Sequence, residues 1–157
     1  MKRNQWIPLI VSVLISLGAG ALSRLLSGDS MGIYSNLYKP PLSPPGWVFP
    51  VVWTILYILM GIASYLVFVS NSPNKQKALK LYFVQLVMNV GWSILFFGMN
   101  AYLLAFTGLL LLWYFVYLTM KEFYKINPLA GKLLVPYLLW LTFAGYLNLV
   151  IALHYNL

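Results

Sequence analysis

Five long apolar segments constrain this sequence more than any other feature. Each is about 20 to 25 residues long, and a helix needs roughly 20 residues to cross a hydrocarbon core of about 30 Å. Only 8% of the residues are charged and 62% are hydrophobic, whereas a typical soluble domain carries about 25% charged residues. We therefore predict an all-α membrane protein, one domain over residues 1–157, built as a bundle of five transmembrane helices. The predicted spans are residues 6–26, 48–69, 79–99, 101–120 and 129–153.

Polar or proline-containing breaks separate the spans. The first break, residues 27–47, contains four prolines, which fix φ and remove backbone donors, so we expect a stiff, extended connection there. The break at residues 98–100 is so short that the third and fourth spans should form an antiparallel hairpin. Pro73 and Pro128 mark the other two breaks.

The first apolar segment also resembles a cleavable secretory signal. Lys2 and Arg3 precede it, and Ala19 and Ala21 could form an A-x-A cleavage site. Its apolar run is longer than the roughly 7 to 15 residues of a signal. We expect it to be retained as a span, with cleavage as the alternative.

Few residues could carry conventional catalytic chemistry. The chain has no cysteine, one histidine (His154) and two carboxylates, Asp29 and Glu122, in separate polar segments. Disulfides, thiolate nucleophiles and Cys-ligated metals are excluded, and a paired-carboxylate mechanism is disfavoured. We predict no metal site and no intrinsic cofactor, so any reaction would depend on aromatic side chains or on a bound pigment.

The basic residues are distributed as topology signals. The formal net charge is +8, but the basic residues occupy short loops and do not form the single patch that a nucleic-acid site needs. Eight of the ten fall on one side of a five-span chain, and Arg24 and Lys39 fall on the other. By the positive-inside rule we predict a multi-pass protein of the cell membrane with a cytoplasmic N-terminus and an external C-terminus.

The six tryptophans fall into two groups. Trp6 and Trp47 lie at span ends, where Trp collects at membrane interfaces, and Trp113 has no argument for a site. Trp53, Trp92 and Trp140 lie inside spans, in the half of the bundle beneath the proline-rich segment. Their spacing leaves open whether they line a site or only fill core volume.

Two intramembrane faces carry residues suited to a site. In the third span Gln85, Asn89, Trp92 and Phe96 share a face, and in the fifth Trp140, Ala144 and Leu147 do so. Amides are costly against lipid and should point into the bundle. The alternative is that Asn89 and Asn148 only hold helices together.

Three blocks of the sequence closely resemble the translocator protein family, also called tryptophan-rich sensory proteins or peripheral-type benzodiazepine receptors (TspO/MBR). They are PPLSPPGWVFPVVWTILYILMG at residues 40–61, NVGWSILFFG at 89–98 and PYLLWLTFAGYLN at 136–148. Their order and spacing extend the resemblance over nearly the whole chain.

The resemblance implies a five-helix bundle, often dimeric, with a pocket that opens toward the first connecting segment. Such pockets bind tetrapyrroles such as protoporphyrin IX, benzodiazepine-site drugs and, in animals, cholesterol, and bacterial members are associated with light-dependent oxidative breakdown of porphyrin. Residues 27–47 would then form a lid loop over the pocket. Trp53 and Trp140 match the tryptophans to which the photochemistry is attributed. The implied ligand-binding residues are Tyr34, Pro44, Phe49, Trp53, Asn89, Trp92, Trp140, Phe143, Ala144 and Leu147.

Two departures from the family pattern narrow these expectations. Ile33 stands where the family usually has a tryptophan before the lid tyrosine, which puts that lid contact in doubt. Ala152 and Leu153 replace a Trp-Arg pair, and no basic residue follows Tyr155, so the proposed cholesterol motif is incomplete. We expect no specific cholesterol binding.

Three function classes remain open at this stage: a receptor or sensor, a photochemical enzyme that uses protoporphyrin IX as its substrate, and a porphyrin-binding, lipid-binding or transport protein without turnover. Transport is the weakest, because a transporter should show intramembrane charges, broken helices or an inverted repeat, and only Arg24 comes near to such a feature. The expected partners are porphyrins, drug-like aromatic ligands, membrane lipid and a second copy of the chain. Ser12, Ser16 and Gly20 form a small-residue face that we assign to the homodimer interface, with packing inside the protomer as the alternative.

Overall fold

The computed structural model describes residues 3–156, and Lys2 and the side chain of Arg3, both part of the predicted cytoplasmic basic set, lie outside what it describes. The described chain is helical throughout its apolar segments, as predicted. The helices are α1 (Arg3–Ser27), α2 (Ser30–Asn36), α3 (Val48–Phe68), α4 (Lys75–Ser93), α5 (Tyr102–Ile126), α6 (Pro128–Leu133) and α7 (Val135–Asn156).

Five helical stretches are long and apolar enough to cross a membrane, which confirms the predicted five-helix membrane bundle. Four of them are α1, α3, α5 and α4 with its π-helical extension Ile94–Gly98. The fifth runs through α6 and α7, from Pro128 to Asn156. α6 begins where the Asn127 side chain accepts a hydrogen bond from the Leu129 N–H (3.0 Å), with Pro128 in the first helical turn.

α4 and α5 extend further into the polar turns than the hydrophobic segments suggest. α4 begins at Lys75 and α5 ends at Ile126, so both include lysines that we had placed in connections. A lysine can keep its stem on an apolar surface while its ammonium reaches water, so lysines do not stop a helix at a membrane boundary. α4 and α5 pack extensively on each other, as the predicted hairpin requires.

The connection at residues 27–47 is not entirely a loop, because it contains the short helix α2. Asp29 caps this helix by accepting a hydrogen bond from the Gly32 N–H at 3.1 Å. The capping contact explains how a helix forms directly before the prolines. The remainder, residues 37–47, is the proline-rich part that we expected to be non-helical. The predicted lid loop covered residues 27–47, and from here on the name refers only to residues 37–47.

The small-residue face of α1 packs inside the protomer. The Ser16 hydroxyl donates to the Tyr57 carbonyl at 2.6 Å, and a Cβ atom built on Gly20 would lie 2.6 Å from the Tyr57 ring. The same close approach appears from the other side, since a Cβ atom on Gly61 would lie 2.5 Å from the Cα atom of Val13. The assignment of this face to a homodimer interface is therefore wrong, because α3 already covers it, and homodimerisation itself stays a prediction.

Candidate ligand-binding site

An aromatic cluster lies where α3, α4 and α7 meet. The Trp53 ring lies 5.5 Å from the Tyr57 ring, 6.4 Å from the Trp92 ring and 6.2 Å from the Tyr137 ring, measured between centroids. Trp53 and Tyr57 share a face of α3 because they are four residues apart. Three helices thus contribute to one aromatic surface, and two of the predicted site tryptophans are part of it.

A chain of buried side-chain hydrogen bonds lies directly beside this cluster. The Tyr57 hydroxyl donates to Asn89 Oδ1 (2.6 Å), Asn89 Nδ2 donates to the Tyr137 hydroxyl (2.7 Å), and that hydroxyl donates to Gln85 Oε1 (2.7 Å). Asn89 is only 2% exposed, so the prediction that it points into the bundle is confirmed. In apolar surroundings a buried polar group needs a partner, and this chain therefore fixes the rotation of the three helices.

Trp92 is fixed by a polar contact of its own. Its indole N–H donates to Asn148 Oδ1 at 3.0 Å, and Asn148 Nδ2 donates to the Tyr102 carbonyl at 2.9 Å. Asn148 therefore joins α4, α5 and α7, which agrees with the alternative that it holds helices together. The Trp92 ring also contacts Phe96 and Phe97, at 5.5 and 6.3 Å between centroids.

A second aromatic series leads from α2 into the bundle. Tyr34 contacts Phe49 at 4.7 Å, Phe49 contacts Trp140 at 5.7 Å, and Trp140 contacts Phe143 at 5.6 Å, again between ring centroids. The Trp140 indole nitrogen is buried and has no hydrogen-bond partner among the described residues. Trp140 and Trp53 both pack against the same apolar core, which also contains Ala144.

Tyrosine hydroxyls hold the lid loop to α2 and to the bundle. The Tyr34 hydroxyl donates to the Pro44 carbonyl at 2.6 Å, and the Tyr146 hydroxyl donates to the Pro41 carbonyl at 2.8 Å. At the other end of the lid loop, the Tyr38 N–H donates to the Tyr155 hydroxyl at 2.9 Å, and the Tyr38 ring stacks on His154. Burial raises the pKa of Tyr34 above its usual value, so its phenol is neutral and able to donate at physiological pH.

Eight of the ten residues implied by the resemblance fall into two groups, and tryptophans of both groups pack against the same apolar core. The inner group is Trp53, Asn89 and Trp92, and the outer group is Tyr34, Pro44, Phe49, Trp140 and Phe143. Ala144 and Leu147 are buried on α7, four and seven residues beyond Trp140. Ile33 packs against a smaller apolar cluster that contains Phe96 and Ile151.

Sequence reasoning missed the tyrosines that complete the site: Tyr57, Tyr137 and Tyr146. Helical spacing could have found the first two, because Tyr57 follows Trp53 by four residues and Tyr137 precedes Trp140 by three. Their hydroxyls are the partners that the amides of α4 require. No comparable signal marks Tyr146, whose partner is a backbone carbonyl of the lid loop.

The chemistry available at this site is aromatic contact and hydrogen bonding. Among the described residues, no group of three or more His, Cys, Asp or Glu side chains could hold a metal ion. Flat apolar ligands can stack on indole and phenol rings, and a buried polar donor can orient them. The Trp140 indole N–H is such a donor.

The fold defines a helical membrane protein, and its candidate site is a cluster of aromatic side chains in the bundle next to the lid loop. Comparison with known proteins then gives the family. The model of the TspO/MBR family matches residues 11–154, and the chain belongs to this family.

Relatives from distant organisms cover most of the chain. It is 44% identical over 120 residues to the tryptophan-rich protein TspO of Chlorobaculum tepidum, covering 75% of this chain and 76% of that protein. It is 40% identical to the tryptophan-rich sensory protein of Cereibacter sphaeroides, over 89% of this chain and 87% of the relative. The human translocator protein is also 40% identical, over 91% of this chain and 87% of its own length.

Proposed function

We propose that the protein is a membrane receptor or sensor that binds tetrapyrroles such as protoporphyrin IX, and flat aromatic drugs of the benzodiazepine-site class, between α3, α4 and α7. The observation that carries this proposal is the buried, unpartnered indole N–H of Trp140 within a series of aromatic rings. Three buried side-chain atoms lack a partner among the described residues, the Tyr82 hydroxyl, Gln85 Nε2 and Trp140 Nε1, and Trp140 is the one that lies in the aromatic series next to the lid loop. A ligand acceptor would satisfy its N–H. The names of the relatives, a sensory protein and a translocator protein, support the same class of function.

Binding requires a change of packing, because the aromatic rings contact one another in this structure. The contacts that must yield are on the outer side, where Tyr34 and Phe49 separate the lid loop from Trp140. The inner group is held more strongly, since Asn89 and Trp92 each take part in buried or half-buried hydrogen bonds. We infer that a ligand displaces Phe49 and the lid loop and stacks against a fixed inner wall.

Light-dependent oxidative degradation of bound porphyrin is the second part of the proposal. The porphyrin absorbs the light, and the protein supplies its position and two oxidisable indoles, Trp53 and Trp140. Trp53 belongs to the inner group and Trp140 to the outer group, and we propose that the bound porphyrin contacts both. The alternative is binding, with or without transport, and no turnover.

Purified protein in lipid nanodiscs, titrated with protoporphyrin IX, tests both parts. We expect saturable binding in the dark, and loss of porphyrin absorbance with new products by mass spectrometry only in light. In the Trp53→Phe/Trp140→Phe variant, stacking on phenylalanine should keep affinity within roughly tenfold, about 1.4 kcal/mol, while light-dependent loss falls far more. If the variant binds saturably and bleaches the porphyrin at the wild-type rate to the same products, the protein is a receptor without enzymatic turnover. Absence of saturable binding would refute the proposal.

A further inference from the structure

The end of the bundle opposite the lid loop is strongly basic. It is formed by the end of α3, the start of α4, the end of α5 and α6, and its described residues include six lysines and one carboxylate, Glu122. Five of the lysines are exposed, and together they are called the basic end below. They are Lys77 and Lys80 of α4, Lys121 and Lys125 of α5, and Lys132 of α6.

Helix packing brings these lysines together at one end of the molecule. The rings of Tyr82 and Phe123 lie 5.8 Å apart between centroids, so the first turns of α4 meet the last turns of α5. α6 packs closely on α5, because a Cβ atom built on Gly131 would lie 2.5 Å from the Cβ atom of Tyr124. Each lysine of the basic end lies within five residues, along the sequence, of one of these two contacts.

Most of these ammonium groups have no anionic partner within the protein. Lys125 forms a salt bridge with Glu122 at 3.3 Å, and it is the one salt bridge within the described residues. Lys75, the sixth lysine of this end, is half-buried, and its ammonium donates to the Phe68 carbonyl at 3.0 Å and lies over the Phe68 ring. No carboxylate in the described part of the chain pairs with the other four, Lys77, Lys80, Lys121 and Lys132.

This concentration of like charge is unfavourable for the protein by itself. Three lysines lie in the first two turns of α4, where the helix dipole favours acidic side chains, and the first turn contains no acidic residue. On α5, Lys121 and Lys125 are four residues apart, a spacing at which like charges destabilise a helix. Anions outside the protein would offset both effects.

Apolar and aromatic side chains continue from these lysines toward the middle of the spans. On α4, Val84 and Val87 follow Lys80 by four and seven residues, so the three share a helix face. On α5, Tyr117 precedes Lys121 by four residues. Both valines and the tyrosine are exposed within membrane-spanning helices. A lysine in such a position lays its stem along the apolar surface while its ammonium reaches the headgroup layer.

We propose that the basic end binds anionic phospholipids of the surrounding membrane. Their acyl chains lie along the exposed faces of α4 and α5, and their phosphates pair with the ammonium groups that lack a carboxylate partner, those of Lys77, Lys80, Lys121 and Lys132. The inference goes beyond the proposed function, because it concerns the end opposite the lid loop and needs no aromatic ligand. It also goes beyond the positive-inside rule, which concerns orientation during insertion, because it concerns the lipid selectivity of the folded protein.

Spin-labelled lipids test the proposal with purified protein in phosphatidylcholine vesicles. Electron paramagnetic resonance separates the motionally restricted lipid at the protein surface from bulk lipid, and so gives the association of spin-labelled phosphatidylglycerol relative to spin-labelled phosphatidylcholine. We expect a ratio of about five for the wild type at low salt, the scale of one lysine near a membrane surface, about 1 kcal/mol. The ratio should fall toward one in about 1 M NaCl, where the Debye length is about 3 Å.

A matched pair of variants on α4 separates a free ammonium from charge alone. Lys80→Gln removes an exposed ammonium without a carboxylate partner and should lower the ratio by about a third or more. Lys75→Gln removes the same charge from the same helix, but its ammonium is already bonded to the Phe68 carbonyl, so the ratio should change little. Because both leaflets of the vesicle have the same composition, the orientation of a variant does not affect the measurement.

A larger set of variants tests the whole basic end. The fourfold variant that replaces the lysines without a carboxylate partner by glutamine should bring the ratio close to one, and the corresponding fourfold arginine variant should retain it, because arginine keeps the charge. All four side chains are exposed, so neither variant should unfold the bundle. Thermal unfolding followed by circular dichroism checks this. The sites replaced are Lys77, Lys80, Lys121 and Lys132.

Three results would overturn the inference. The first is equal association of the two lipids with the wild type at low salt, and the second is a preference for phosphatidylglycerol that persists in the fourfold glutamine variant. The third is binding of heparin, measured by isothermal titration calorimetry, that needs these lysines while no lipid preference exists, which would assign the basic end to a soluble acidic partner. No porphyrin is present in these measurements, so failure of the proposed function would leave their results unchanged.

Discussion

The indole N–H of Trp92 donates to the side-chain oxygen of Asn148 at 3.0 Å, across the interface of α4 and α7. The indole of Trp140 has no such partner among the described residues. Two tryptophans that look alike in the sequence therefore differ in what they offer a ligand. In the proposed binding site, Trp92 is a wall fixed by this hydrogen bond, and Trp140 is a wall whose N–H has no partner among the described residues.

Trp92→Phe should destabilise the bundle. The variant leaves Asn148 Oδ1 without its donor, and interhelical hydrogen bonds in membranes contribute about 0.5 to 2 kcal/mol. For a chain of this size we expect the midpoint of thermal unfolding, followed by circular dichroism in detergent, to fall by roughly 2 to 4 °C per kcal/mol. Trp113→Phe is the control, because its indole donates to the exposed Thr142 hydroxyl (2.9 Å) and should matter less. An equal effect of the two variants would contradict the assigned role of Asn148.

Tyr137→Phe should be more damaging than Tyr57→Phe. The Tyr137 hydroxyl both accepts from Asn89 and donates to Gln85, so its removal leaves two buried polar groups unpaired. Removal of the Tyr57 hydroxyl leaves one. At about 1 to 3 kcal/mol for each buried unpaired group, the two variants should be ranked by urea unfolding followed by tryptophan fluorescence. Tyr117→Phe, at an exposed position, should match the wild type. If Tyr57→Phe were instead the more damaging variant, the hydrogen bonds from Tyr57 to Gln85 would not form one continuous series.

Gly20→Leu should disrupt the protomer itself. The new side chain would meet the Tyr57 ring at 2.6 Å, and overpacking of this kind costs about 1 to 3 kcal/mol. Gly18→Leu, two residues away on the same helix, has nothing within 4 Å and should be neutral or slightly stabilising, because leucine favours a helix more than glycine does. Thermal stability, together with the cross-linked dimer yield, measures both effects. A loss of dimer from Gly20→Leu at unchanged stability would restore this face as a subunit interface.

Tyr34→Phe should shorten the residence time of a bound porphyrin. The ring that contacts Phe49 remains, but the hydrogen bond to the Pro44 carbonyl is lost, at about 1 kcal/mol or roughly fivefold in the dissociation rate. Stopped-flow displacement of protoporphyrin IX measures that rate, and Tyr38→Phe, which keeps its ring stacked on His154, is the control.

The ionisation of Tyr34 also bears on the pH dependence of the wild-type dissociation rate. Burial raises the pKa of Tyr34 above its value in the unfolded chain, so its contribution is present in full below pH 10 and is lost only as pH rises through the higher folded pKa. The residence time should therefore be constant between about pH 7 and pH 9 as far as Tyr34 is concerned.

Reporter fusions test the predicted orientation. A reporter that is active only outside the cytoplasm should be active when fused after Leu157 and inactive when inserted at Pro73, because eight of the ten basic residues lie on the predicted cytoplasmic side. Opposite activities would place the lid loop on the cytoplasmic face.

The number of spans and the inward direction of Asn89 could be predicted from the sequence, because hydropathy and the cost of a lipid-facing amide depend on each segment by itself. It was insufficient for α2, which depends on one capping contact by Asp29. It was also ambiguous for α1, since small residues such as Gly20 permit close packing against any helix, whether from the same chain or from another. The partners of Trp53 and Trp140 depend on how α3 and α7 are rotated, which the tyrosine hydroxyls determine and hydropathy does not.

Trp92, Phe96 and Phe97 form one aromatic wall, and this wall depends on the number of residues in the π-helical turn at Ile94–Gly98. In a regular α-helix consecutive side chains point about 100° apart, yet Phe96 and Phe97 both contact Trp92, because this wider turn holds an extra residue. Removing Ile94 or Leu95 would let the turn tighten and would rotate one phenylalanine away from the indole. The wall is therefore encoded by the spacing of this turn as much as by its phenylalanines, and a shortened chain could keep both rings and still lose the surface.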